Sequence, residues 1–154
     1  MTDTIADRIA ELGYTLPEVP APAGSYVNCV RSGNLLHLAG GISMSPEKKI
    51  LGKVSVDVTI EEAQEAARMC ILNRLAVVKQ EVGSLDKVTR IVSLGGFVNA
   101  PGDFYDHPKV INGASDLLLE IFGEKGKHAR TALGAAALPL NVAVEINAII
   151  EVEG

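Results

Sequence analysis

Residues 59–83, TIEEAQEAARMCILNRLAVVKQEVG, constrain the fold most, because the start, the buried face and the stop of one long helix can all be read in them. Thr59 and Glu62 form a T-x-x-E capping box, in which each side chain satisfies a backbone N–H that the first turn leaves unpaired. The acidic residues of VDVTIEEAQE then lie where the helix dipole favours negative charge. Ala63, Ala66, Ala67, Cys70, Ile71, Leu75, Val78 and Val82 recur at steps of three and four, a broad apolar stripe. Gly83 offers a stop, so the spacing predicts a helix over 60–82 that must be buried along one side.

Shorter elements surround it. Ile5, Ile9 and Leu12 sit at helical spacing before Gly13, which predicts a short helix over 4–12. LPEVPAPAG (16–24) reads as an extended connection because of its prolines. SYVNCV (25–30) and LLHLAGG (35–41) flank Arg31-Ser32-Gly33-Asn34, a junction suited to a hairpin. SMSPEKKILGK (43–53) is a polar, glycine-containing loop. KVTRIVSLGGFV (87–98) alternates Val88, Arg90, Val92 and Leu94 against Thr89, Ile91 and Ser93, as a strand does. NAPGDFYDHP (99–108) is a turn cluster that includes His107, with Pro108 placed for the first turn of a helix. Val110, Ile111, Ala114, Leu117, Leu118, Ile121 and Phe122 give that helix its buried face, and Gly123 its end. After an exposed EKGKHA loop, strands are expected over 129–137 and 142–152, separated by Leu138-Pro139-Leu140-Asn141. In the last of them Val142, Val144, Ile146, Ala148, Ile150 and Val152 share one face; Ala143, Glu145, Asn147, Ile149 and Glu151 share the other.

The order helix, strand, strand, helix, strand, helix, strand, strand argues for an α+β fold: one mixed sheet with both long helices on one face. At 154 residues, the chain fits a single domain with a core of its own. No element remains to cover the second face of the sheet, whose small, apolar and polar residues (Ala143, Asn147, Ile149) predict self-association. A net charge of −5 without a basic block counts against nucleic acid as a partner. Cys29 and Cys70 match neither a disulfide framework nor a zinc spacing, so they are expected to be free thiols in a reducing compartment. His37, His107 and His128 form no pair at metal-ligand spacing, and no metal or cofactor is expected. MTDTIADRIAELGY lacks a signal-type apolar run, and no stretch reaches the roughly 20 apolar residues that a spanning helix needs. A soluble, cytoplasmic chain with no membrane partner is the expectation.

Two charges stand out in HARTALGAAALPLNVAVEINAI (128–149): Arg130 and Glu145 lie inside strands otherwise bound for a core, where an unpaired charge is costly. Arg130 reads either as an anchor gripping a carboxylate through two parallel bonds, or as an interface ion pair or solvated strand edge. Glu145 reads either as an acid–base group tuned by a low-polarity cleft, or as the solvated side of an ordinary strand. Gly40-Gly41 either exposes backbone groups to a ligand or ends a strand, and GGISMSPEKK lacks the Lys-Ser/Thr of a phosphate loop. Tyr26 suits a pocket wall or a core. Asn112 can bond across a subunit boundary or face water. GAS (113–115) is not a nucleophile elbow, so no Ser-His-Asp assignment is made.

Tyr26, LAGG (38–41), KV (87–88), VIN (110–112), AR (129–130), LP (138–139) and VEINAI (144–149), in this order, resemble the YjgF/Rid family, also called liver perchloric-acid-soluble protein or L-PSP. The similarity runs from residue 16 to the end, with residues 1–15 an additional N-terminal helix. The resemblance implies a chorismate-mutase-like fold assembled as a homotrimer with clefts between subunits. For the deaminase branch it implies hydrolysis of small 2-imino or 2-enamino acids, such as 2-aminoacrylate, to a 2-keto acid and ammonia. By the same resemblance Arg130 would hold the substrate carboxylate and Glu145 would assist the hydrolytic water. Tyr26, Gly40 and Asn112 would lie at the cleft, and backbone near Gly40 and Ala132 would help polarise the water or imine. Two features depart from the deaminase pattern: Ala132 stands where cysteine often follows the arginine, and SLGGFVNAPGDF (93–104) is longer and richer in glycine. A trimeric binding or regulatory protein for a small carboxylate is the second reading, and a ribonuclease the third.

Overall fold

The computed structural model of the protein describes residues 3–154. Elements come in the expected order: α1 (Thr4–Glu11), β1 (Cys29–Ser32), β2 (Leu35–Ile42), α2 (Ile60–Val82), β3 (Val88–Asn99), α3 (His107–Phe122), β4 (Ala129–Ala135) and β5 (Val144–Val152). The five strands form one sheet in the order β1-β2-β5-β3-β4, antiparallel except for the β3–β4 pair. Both long helices pack on one face, α2 over β2 and β5, α3 over β3 and β4, and the two helices pack on each other. The fold is the mixed α+β sheet expected from the element order. No helix of the described residues is long and apolar enough to cross a membrane.

Helix α2 keeps the bounds read from its caps. Glu62 N donates to Thr59 Oγ1 at 3.1 Å and Thr59 N donates to Glu62 Oε1 at 3.2 Å, closing the capping box, while Gly83 leaves the helix at φ +89°. Burial extends beyond the apolar stripe, however, to Asn73 and Arg74, which are 4% and 2% exposed. Helix α3 buries the seven apolar residues assigned to it, and His107, expected in a loop, is its first residue. The N-terminal helix is clipped to the turn after α2: Asp86 accepts from Thr4 N and Ile5 N, Asp3 accepts from Leu85 N, and Ile9 is buried.

Three local expectations are corrected. Strand β1 begins at Cys29 instead of residue 25; before it, the Asn28 side chain donates to Pro20 O at 2.7 Å, tying that stretch to the proline-rich segment. Strand β3 does not alternate strictly. Register shifts between Val88 and Arg90 and between Ile91 and Ser93 put Val88, Ile91 and Leu94 on the buried side, because each bulge inserts a residue and resets the pleat. Ala143 does not lie on the open face: it precedes β5, its N–H meets Ile50 O and Ser43 Oγ, and it is fully buried. On β5 itself Val144, Ile146, Ala148, Ile150 and Val152 face the helices, while Glu145, Asn147, Ile149 and Glu151 lie on the face that no helix covers.

The two helices meet at Gly113. A Cβ there would collide with the Gln64 carbonyl oxygen and come within 2.9 Å of Gln64 Cα. Backbone cannot rotate away as a side chain can, so Gly113→Ala is expected to force α2 and α3 apart at a cost of about 1–3 kcal/mol. A lower urea midpoint at unchanged slope would show this; an unchanged midpoint would contradict the close crossing.

Candidate functional site

Glu145 owes its setting to a bulge. Between β2 and β5, Leu38 pairs with Ala148 but Gly41 pairs with Ile146, so Ala39 and Gly40 both stand opposite Asn147. The Glu145 side chain lies over the extra residue: a Cβ on Gly40 would collide with its Oε2 and come within 2.9 Å of its Cδ. Glycine at 40 is therefore a condition of this carboxylate's position. Burial pushes the Glu145 carboxyl above its ordinary value, and the Arg74 guanidinium pulls it back in part.

Arg74 reaches the same bulge from α2. Its Nη1 donates to Ala39 O at 2.7 Å, and a Cβ on Gly41 would lie 2.5 Å from its Nε. Burial lowers the guanidinium's pKa, opposed by Cys70, Tyr26, Glu145 and Cys29, so these groups share one electrostatic neighbourhood. Tyr26 is 51% exposed before β1, and its hydroxyl accepts from Ala23 N at 3.3 Å. It is a surface residue beside the bulge, not a core tyrosine. Cys70 donates to Val144 O at 3.3 Å, and burial raises its thiol far above the usual range, with Glu145 adding to the shift.

Arg130 sits elsewhere. Its register partner on β3 is Leu94, whose partner on β5 is Ala148, and both are buried beneath the helices. Arg130 therefore leaves the helix-covered face at the β4 edge. Its Nη1 donates to Ser115 Oγ and its Nη2 to Pro108 O, both at 3.1 Å. Ser115 also lies 2.8 Å from His128 Nε2, whose Nδ1 lies 2.6 Å from Gly126 O. A carbonyl only accepts, so Nδ1 carries a proton; with the ring neutral, Ser115 donates to Nε2 and accepts from Arg130. Asn112 is exposed on α3, one turn from both Pro108 and Ser115. Ala132 shares the Arg130 face of β4 and packs against the core.

One chain thus divides the six sequence-derived candidates into two groups. Glu145 and Gly40 meet at the β2 bulge, with Tyr26 within electrostatic reach of Arg74 there, while Arg130, Asn112 and Ala132 gather at the β4 edge beside α3. Glu145 and Arg130 lie on opposite faces of the sheet. Arg74 and the Ser115–His128 pair were not singled out from the sequence. Arg74 carried a signal: it stands four residues after Cys70 and four before Val78, a cation in line with the buried stripe. Ser115 and His128 carried none, since only the fold brings them together.

This sheet, its two-helix layer and the ordered residues carrying the site agree with one family. Residues 6–152 match the family model described as YjgF/chorismate mutase-like, which bears endoribonuclease as a provisional activity label. The chain belongs to the YjgF/Rid family. Among its relatives in this family is protein TCP17 of Trypanosoma cruzi, 41% identical over 96% of this chain and 93% of the relative. Another is the 2-iminobutanoate/2-iminopropanoate deaminase of Dermatophagoides farinae, 31% identical over 89% of this chain and 93% of that protein. In three dimensions this YjgF/Rid chain is similar to Atu1372 of Agrobacterium tumefaciens, a protein of unknown function. The two superpose with a TM-score of 0.91 at 44% identity, covering 99% of this chain and 94% of the other.

Proposed function

We propose that the chain hydrolyses small 2-imino and 2-enamino acids to 2-keto acids and ammonia, in clefts between copies of a homotrimer. The observation that carries this reading is the Glu145 carboxylate. It is held over a glycine bulge on an uncovered sheet face, and burial shifts its pKa upward, the direction that favours acid–base work at neutral pH. Apposing copies would bring the Arg130 edge of one against the Glu145 face of the next. Two of the five guanidinium N–H groups of Arg130 are engaged by Ser115 and Pro108, which brace it and leave three for a carboxylate.

The chemistry follows from that pairing. A 2-enamino acid first takes a proton at C3 and loses one from nitrogen, becoming the imine. Glu145 accepts a proton from water as the oxygen bonds to C2, and passes it to the nitrogen, giving a carbinolamine. The hydroxyl proton then moves through Glu145 to the nitrogen as the C–N bond breaks, leaving the keto acid and ammonia. Arg130 fixes the carboxylate so that C2 meets the water, and backbone groups at Gly40 and Ala132 orient the reacting groups. The named activity of the D. farinae relative supports the reaction class. Ala132, in place of a cysteine, favours the second reading, a protein that binds keto acids in the same cleft without turnover.

Keto-acid release from enzymatically generated 2-aminoacrylate decides between them. Release faster than spontaneous hydrolysis is expected; binding of 2-keto acids by calorimetry, with no acceleration for any imine tested, would replace the enzyme by the binding protein. Cleavage of RNA that survives loss of Arg130 would point away from this cleft altogether.

A further inference from the structure

The one buried side-chain nitrogen or oxygen without a hydrogen-bond partner among the described residues is Arg74 Nε. An arginine 2% exposed and incompletely paired costs stability, so it should be doing something that an apolar residue would not. Its place shows what. The bulge frees the Ala39 carbonyl, and Arg74 Nη1 takes it; Nε lies under Gly41; and Glu145 lies over Gly40 on the other side of the same strand. Two consecutive glycines separate a buried cation from a half-buried carboxylate. Arg74 makes no salt bridge among the described residues, so its charge acts on Glu145 at a distance and not by contact.

We propose that Arg74 is a positioning residue for Glu145: it pins the two-glycine bulge on which the carboxylate rests and sets a buried positive charge on the other side of that strand. This rests on the reading of Glu145 as the acid–base group. Nε is sealed from solvent, so that nitrogen does not touch substrate. The groups facing this pair are few. From α2 come Arg74 and the Cys70 thiol; from the β1 side, Tyr26 and Cys29 act on Arg74; the register neighbours of Glu145, Ile42 on β2 and Phe97 on β3, are uncharged. Burial raises both thiols, which are therefore neutral at neutral pH, leaving Arg74 as the cation that offsets the burial of Glu145.

Arg74→Met keeps the length and removes the charge; Arg74→Lys keeps a charge without the planar fork. The Glu145 carboxyl is followed by carbon-13 NMR, its signal assigned by its absence in Glu145→Gln, and the pH profile of keto-acid release is measured alongside. In Arg74→Met the titration and the acid limb of the profile should both move up by about one pH unit, with a smaller move in Arg74→Lys. An unmoved titration in either folded variant overturns the proposal, even where the rate falls at every pH, which a merely structural role would produce. If the wild type releases no keto acid above the spontaneous rate, the hydrolase reading fails, and the titration still judges Arg74. Removing one member of a buried charge pair can destabilise a fold strongly, so Arg74→Lys carries the test if Arg74→Met does not fold.

Discussion

Glu145→Gln is expected to slow the release of keto acid from 2-aminoacrylate by about 10²–10⁴-fold, the contribution of a positioned general acid–base group. Glutamine fits the same space over Gly40 but neither takes a proton from water nor returns one to nitrogen. The same variant has a stability signature of opposite sense. Burial raises the Glu145 carboxyl above its ordinary value of 4.5, so the folded chain binds that proton more tightly than the unfolded chain. Stability from this group is fully present below 4.5 and is lost as pH rises through the raised folded value. Glu145→Gln should therefore melt above the wild type at neutral pH, with the gap closing in acid. A variant that loses activity and also melts lower at neutral pH would mean that Glu145 is held by a structural pairing instead.

Arg130→Ala is expected to lower kcat/KM by about 10²-fold or more, the loss that follows when one partner of a hydrogen-bonded charge pair is removed. Calorimetry should show binding of 2-keto acids disappearing in the same variant. Because Arg130 leans on Ser115 and Pro108, and through Ser115 on His128, Arg130→Lys should restore little: a point charge cannot hold both supports and still offer parallel bonds to a carboxylate. Activity that is unchanged in Arg130→Ala would assign the anchor to another residue.

What the sequence made legible divides along physical lines. Helix α2 was readable to the residue because its signals are local: Thr59, Glu62 and Gly83 act within one turn of where they stand. The burial of β5 was readable because strict alternation survives there, whereas β3 hides two bulges that no side-chain pattern announces. Glu145 and Gly40 are far apart in sequence and meet only through the β2–β5 register, so their partnership came from family resemblance and not from spacing. Arg74 is masked in the sequence because the apolar residues around it already satisfy the helical period. Its charge on that face was the clue, and only the fold shows the carbonyl and the glycines that receive it.

On the proposed reading of the cleft, catalysis needs Arg130 from one copy and Glu145 from another. Co-assembly of Arg130→Ala and Glu145→Ala chains, each inactive alone, tests it most directly. With random mixing, roughly a quarter of the clefts in a symmetric ring would pair an intact Arg130 with an intact Glu145. Keto-acid release at about that fraction of the wild-type rate is the predicted result. Mixed assemblies as inactive as either parent, with exchange of chains verified by mass spectrometry, would contradict it.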